Sequence, residues 1–144
     1  MSFRGKFLRF GLDVVNNALK VLNPNGWIFP VVYPSVAVRA KTSTGNLAAA
    51  DFGANITNTG ASGAIVLTLL AASGNTGKFF RVQVTAAQQV SLSPQSSDAI
   101  YLGGNGVDDK DLVIAGVIGN YADVYCDGTN YHVVGYSGVL TKEA

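Results

Sequence analysis

Cys126 and His132 stand six residues apart across a run that reads as a β-hairpin, a spacing that could set a thiol beside an imidazole. Facing strands bring residues together without any chemistry, so the pair alone makes no nucleophile. His132 is the single histidine and therefore the only base available to a nucleophilic triad. The serine it would need has no frame. No G-x-S-x-G elbow occurs, and both Gly60-Ala61-Ser62-Gly63 and Tyr136-Ser137-Gly138 lack the full spacing. Between Tyr131 and Val133, His132 reads as a structural strand residue. One cysteine and one histidine also fall short of any zinc-ligand pattern.

Other chemistries fail in their own terms. Gly103-Gly104-Asn105-Gly106-Val107-Asp108 fits the opening of a calcium-binding nonapeptide repeat. That repeat binds by stacking turns, one copy is present, and Lys110 stands where an apolar residue belongs. Asp108, Asp109 and Asp111 therefore read as a solvated loop, with weak binding of a hard cation as the alternative. Gly74-Asn75-Thr76-Gly77-Lys78 is not a phosphate loop, since Ala72 replaces its first glycine and Phe79 the hydroxyl residue that would hold magnesium. Asn55-Ile56-Thr57 matches a glycosylation triplet without a signal peptide to give it meaning. A glycosidase pair would have to come from eight aspartates and Glu143. Tyr101, Tyr121, Tyr125, Tyr131 and Tyr136 could stack on sugars or bases, but their period along strands suits core or subunit packing better. No cofactor, metal or catalytic residue is expected.

The elements come next. In residues 1–22, Leu8, Leu12, Val15, Leu19 and Leu22 recur at steps of four and three, flanked by Phe7, Phe10, Val14, Ala18 and Val21. Arg9, Asp13, Asn16 and Lys20 share a narrow polar stripe. This predicts an amphipathic helix with more apolar surface than a small domain needs. Asn23-Pro24-Asn25-Gly26 ends it, and Trp27 to Pro34 forms an apolar extended arm whose prolines remove ladder donors. From residue 35 the pattern becomes short strands punctuated by Gly, Asn and Ser, over 36–40, 52–57, 64–70, 78–86, 90–93, 99–102, 112–117, 121–126 and 131–136. Alternation is clearest where Phe80, Val82 and Val84 interleave with Phe79, Arg81, Gln83 and Thr85. Gly74 to Gly77 and Asp127-Gly128 mark turns, and 42–50 reads as a small-residue connector. The organisation is an arm over 1–34 and a mainly β module over 35–144, an antiparallel β-sandwich or jelly-roll-like fold.

Composition bounds what such a chain does. At 144 residues and 15.0 kDa there is room for one domain plus an arm. Only 13% of residues are charged and 48% are hydrophobic, so much of the surface is expected to meet protein. The net charge of +1 hides an asymmetry, because Arg4, Lys6, Arg9, Lys20, Arg39 and Lys41 face only Asp13 within residues 1–41. Cations spread among bulky apolar side chains suit an acidic protein neighbour, and nucleic-acid contact is not expected. A lone cysteine excludes an intrachain disulfide. The basic start lacks a small-residue cleavage site, Asp13 argues against a mitochondrial leader, and no apolar run is long enough to span a membrane.

From about Asn55 to Gly138 the order of marks resembles a known class. An apolar strand Ile65-Val66-Leu67-Thr68-Leu69-Leu70 is followed by Gly77-Lys78 leading into an aromatic strand. A Pro94 to Asp98-Ala99-Ile100 segment and a closing Asp127-Gly128-Thr129-Asn130-Tyr131-His132-Val133 hairpin complete it. This is similar to the β-rich modules of tailed bacteriophage virion proteins, found in capsid decoration (cement) proteins and in fibres. The resemblance implies a non-enzymatic, often trimeric structural protein and transfers no catalytic residue. The absence of a heptad shaft or repeated rod motif, with the apolar arm, points to decoration over fibre. The expected partners are the major capsid protein and the chain itself as a homotrimer, on the capsid surface of a virion made in the host cytoplasm. Phe3, Phe7, Phe10, Val14, Trp27, Ile28, Phe29 and Tyr33 are the expected apolar anchors, and Arg4, Lys6 and Arg9 the expected partners of coat carboxylates. A tail or fibre-attachment module meeting host glycan is the alternative. A helix lying in lipid headgroups is a more distant one.

Overall fold

The computed structural model describes residues 18–22, 28–32, 35–106 and 109–143, the first two stretches as backbone. The chain divides into two units, Met1–Ser35 and Val36–Ala144. In the first, β1 (Ala18–Leu22) pairs antiparallel with β2 (Ile28–Val32), Ala18 opposite Val32 and Leu22 opposite Ile28. This corrects the expected helix over its last five residues. A short run such as Ala-Leu-Lys-Val-Leu fits both periods, and a β-branched partner, Ile-Phe-Pro-Val-Val, decides for strand. Pro30, opposite Lys20, is tolerated because a two-stranded sheet is all edge. Ile28 and Phe29 begin β2. Residues 1–17, with the anchors Phe3, Arg4, Lys6, Phe7, Arg9, Phe10 and Val14, lie outside the described residues, as do Trp27 and Tyr33.

The second unit is mainly β. Its strands are β3 (Val38–Ala40), β4 (Gly45–Asn46), β5 (Asn55–Thr57), β6 (Ile65–Thr68), β7 (Phe79–Gln83), β8 (Val90–Ser93), β9 (Ile100–Tyr101), β10 (Leu112–Ile114), β11 (Tyr121–Cys126), β12 (Tyr131–Ser137) and β13 (Leu140–Lys142). Six form one sheet in the order β3-β5-β7-β11-β12-β9, and five form the other, β13-β10-β8-β6-β4. The expected all-antiparallel arrangement is corrected here, because both sheets are mixed. β3, β5 and β7 run parallel, as do β4, β6 and β8, and β9 runs parallel to β12. The reason lies in the path. From β3 to β11 successive strands alternate between the sheets, so each strand's excursion into the other sheet serves as the long crossover that parallel neighbours require. The passes are unequal: Val38 aligns with Asn55 and Asn55 with Arg81, while Gly45 aligns with Leu67 and Leu67 with Leu92.

Period-two alternation sends one side of each sheet into a single core. Ile56, Phe80, Val82, Ala122, Val124, Cys126, Ile100 and Tyr131 enter from the six-stranded sheet, and Ile65, Leu67, Val90, Leu92, Leu112 and Ile114 from the other. Each fully buried Leu, Ile or Phe contributes about 1.5–3 kcal/mol. Leu47, from the tract read as a connector, is buried in this core too.

Two buried polar side chains fix the first passes. Asn58 donates from Nδ2 to the carbonyls of Ala86 and Gln88 at 3.0 and 2.9 Å, and its Oδ1 accepts from the amides of Thr85 and Ala86 at 2.7 and 2.9 Å. Asp51 accepts from Lys41 Nζ at 2.9 Å and from the Ala48 amide at 2.8 Å, with Arg39 Nε at 3.8 Å. Burial opposes ionisation of Asp51, but the Ala48 amide, Lys41 and Arg39 together hold its carboxyl below the usual range. The β11–β12 turn carries Gly128 at φ 97, the left-handed region open to glycine. Among the described residues no helix is long and apolar enough to cross a membrane.

Candidate functional site on the outer sheet face

The side chains with chemistry gather on the face of the six-stranded sheet turned away from the core. Along β11, Ala122, Val124 and Cys126 point inward, so Tyr121, Asp123 and Tyr125 point outward and are half-buried. Register sets Asp123 beside Arg81 of β7 and Gly135 of β12, and Tyr121 beside Gln83 and Ser137. Arg81 donates from Nε and Nη2 to the two oxygens of Asp123 at 2.6 and 2.7 Å, a bidentate pair. Its guanidinium carbon lies 4.3 Å from the Tyr121 ring centroid. The hydrogen bonds to Asp123 push the guanidinium above its ordinary range.

A β-bulge follows. Asp123 aligns with Gly135 but Val124 with Val133, leaving Val134 unpaired and exposed. At Gly135 a side chain would begin 3.2 Å from Asp123 Oδ2, a tight approach that the glycine avoids.

Beyond the bulge the aromatic rings stack on one another. His132 lies between Tyr125 and Tyr101, with both centroid separations 5.1 Å and interplanar angles of 22° and 15°. Gly106 backs the Tyr101 ring so closely that a Cβ there would sit 2.6 Å from it. His132 Nε2 is 2.7 Å from Asp127 Oδ2, so that nitrogen carries a proton. Asp127 Oδ1 accepts from the amides of Thr129 and Asn130, each at 2.7 Å. The Asn130 amide first, then His132 and the Thr129 amide, hold its carboxyl down to about 2. With its ring covered on both faces and Nε2 engaged, His132 is a clamp between β9, β11 and β12.

The structure separates the residues whose spacing suggested a thiol–imidazole pair. Cys126 faces the core, its Sγ donating to the Ala72 carbonyl at 3.4 Å, and burial pushes the thiol up. Of the five tyrosines after residue 100, Tyr131 is core, donating its hydroxyl to the Leu70 carbonyl at 2.8 Å, and burial raises its phenol. Tyr101 and Tyr125 belong to the stack, Tyr121 to Arg81, and Tyr136 is exposed. Among the described residues no three His, Cys, Asp or Glu side chains gather to hold a metal ion, and Asp108 lies outside them. Arg81 belongs to no sequence motif, and the only signal for it is its place on the outer side of an alternating strand. No protein-family model and no curated protein matches the chain.

Proposed function

We propose that the chain is a capsid decoration (cement) protein of a tailed bacteriophage. Residues 1–34 meet the major capsid protein, and the β module, a two-layer sandwich, associates as a homotrimer. The mechanism is linkage: a protein that binds the assembled shell but not separated subunits stabilises the shell by mass action. No bond is made or broken.

The observation that carries this reading is apolar surface where turns ordinarily carry polar residues. Val117, Ile118 and Val139 are 61%, 65% and 61% exposed. Their turns are tied together, since the Ala115 amide donates to the Val139 carbonyl at 3.0 Å and the Val117 amide to the Ala115 carbonyl at 2.7 Å. Exposed apolar side chains on adjoining turns favour association with protein, and cyclic self-association is the simplest way to cover them. Sedimentation equilibrium tests this. A particle of three times the 15.0 kDa chain mass is expected. A monomer at micromolar concentration contradicts it.

The second reading, a tail or fibre-attachment module meeting host glycan, draws on two observations. The parallel stacking of β3, β5 and β7 and of β4, β6 and β8 is an arrangement that lengthens by adding passes, so the lack of a sequence repeat counts less against a fibre. The outer face also presents aromatic rings to its surroundings, Phe79 exposed and Tyr121 half-buried.

A further inference from the structure

We infer that the free edge of β3 pairs antiparallel with β3 of a second copy, about a two-fold axis through Val38. β3 ends the six-stranded sheet, with β5 on one side and no described strand on the other. The Ala37 carbonyl accepts from the Asn55 amide, and the Lys41 amide donates to the Thr57 carbonyl, both at 2.8 Å. Backbone groups of successive strand residues point to opposite sides. Those of Ala37, Arg39 and Lys41 therefore turn to β5, and those of Val36, Val38 and Ala40 turn out of the sheet.

The opposite edge of the same sheet is closed. On the outer side of β9, the Leu102 amide and carbonyl bond Asn105 at 3.0 and 3.1 Å, and the Asp98 carbonyl accepts from the Asp109 amide at 3.1 Å. β3 has no such cover among the described residues. It also lacks a proline or a bulge, and its one charged side chain, Arg39, lies 3.8 Å from Asp51. Val36 and Val38 are 63% and 69% exposed. An uncovered apolar edge is a template for another strand.

The residues of β3 suit their own copy. About an axis at Val38, Val38 faces Val38, Val36 faces Ala40, and Ala37 faces Arg39. The first two kinds of pair fall on residues whose backbone groups turn outward, so each pair exchanges both of its bonds. Register with β5 sets Val38 and Ala40 on the side of Asn55 and Thr57, which makes these pairs an apolar strip on one face. On the other face Arg39 meets an alanine and keeps its own Asp51. An axis one residue earlier would set Ala40 opposite Pro34, which has no N–H to donate. One residue later, Arg39 would face Arg39, and like charges directly opposite are destabilising. So short an edge buries far less than the roughly 1,200 Å² of a stable complex, so the contact is weak and forms where copies are crowded. Its use in linking neighbouring copies on a shell rests on the cement reading; the pairing itself does not.

The test uses the full chain carrying Ile118→Asp and Val139→Asp, so that the apolar turns do not associate. Sedimentation equilibrium at millimolar concentration is expected to approach twice the 15.0 kDa chain mass. Adding Val38→Lys or Val38→Glu places like charges on the axis, so each alone should pair at least about fivefold more weakly, and an equal mixture of the two should recover pairing. Facing residues of a bonded antiparallel pair stand about 5.5 Å apart at Cα, within disulfide reach. Val38→Cys should therefore link two chains under mild oxidation, while Val134→Cys, exposed elsewhere on the sheet, should not, and Cys126 is buried. A chain that keeps its single mass would overturn the inference, as would charged variants that pair as well alone as mixed, or equal linkage through Val134→Cys. Slow exchange of the Val38 and Ala40 amides in the monomer would overturn it too, since the edge would then be covered already. Shell binding and the apolar turns are tested on other residues, so failure here leaves the cement reading standing.

Discussion

Cys126 on β11 and His132 on β12 project from opposite faces of one sheet: Cys126 aligns with Tyr131, and His132 with Tyr125. The thiol sits in the core and the imidazole in the outer stack, so neither can activate the other. Cys126 should therefore be inert to thiol reagents in the native protein and react fully in denaturant, since the nucleophile is the thiolate and burial both raises the thiol and excludes the reagent. Labelling by a chromogenic disulfide checks this. Complete native reaction within minutes would contradict it.

Asn58 should be the most damaging polar position to truncate. Its carboxamide serves two carbonyls and two amides of the segment after β7, and it is fully buried. Asn58→Ala leaves those groups without partners, at a cost of about 3 kcal/mol. Asn58→Asp keeps the acceptor and loses the donor, so it should also destabilise. Urea unfolding midpoints measure both.

Acid should weaken the fold through Asp127 and Asp51. The Asp127 carboxyl is held down to about 2, below its unfolded value of about 3.9, so the folded state binds fewer protons between those values. Its contribution is present above about pH 4 and lost as pH falls through about 2. Asp51 is lowered as well and adds with the same sign. Asp127→Asn should flatten the fall in stability between pH 4 and pH 2, as measured by urea melts at stepped pH. An unchanged slope would contradict the assignment.

The apolar turns should matter for association and little for folding. Ile118→Asp and Val139→Asp replace exposed side chains, so stability should change by no more than about 0.5 kcal/mol. Self-association should weaken in both. Thermal melts paired with sedimentation velocity separate the two effects.

Much of the fold was legible in the sequence where alternation was strong. The segments 90–93 and 121–126 match β8 and β11 residue for residue, because small residues and turns bound clear period-two runs. β4 was not legible. Gly45 and Asn46 carry no strand signal, and only Leu47 beyond them reaches the core. Parallel pairing was hidden for a related reason, since passes of unequal length leave no period to detect. At 18–22 a run compatible with both periods was resolved by its partner strand. The outer-face site was half legible: Tyr121, Asp123 and Tyr125 alternate in plain view, but Arg81 lies 42 residues from Asp123 and joins it only through the β7–β11 register.

The proposed function has this chain bind an assembled shell. Co-sedimentation of the full chain with assembled tailed-phage shells, against the separated coat subunits, tests that proposal most directly, alongside a variant combining Phe7→Asp and Phe10→Asp. The native chain is expected to pellet with shells and not with separated coat subunits, and the variant to remain in the supernatant. A native chain that stays in the supernatant, or a variant that pellets as well as the native chain, would contradict the account.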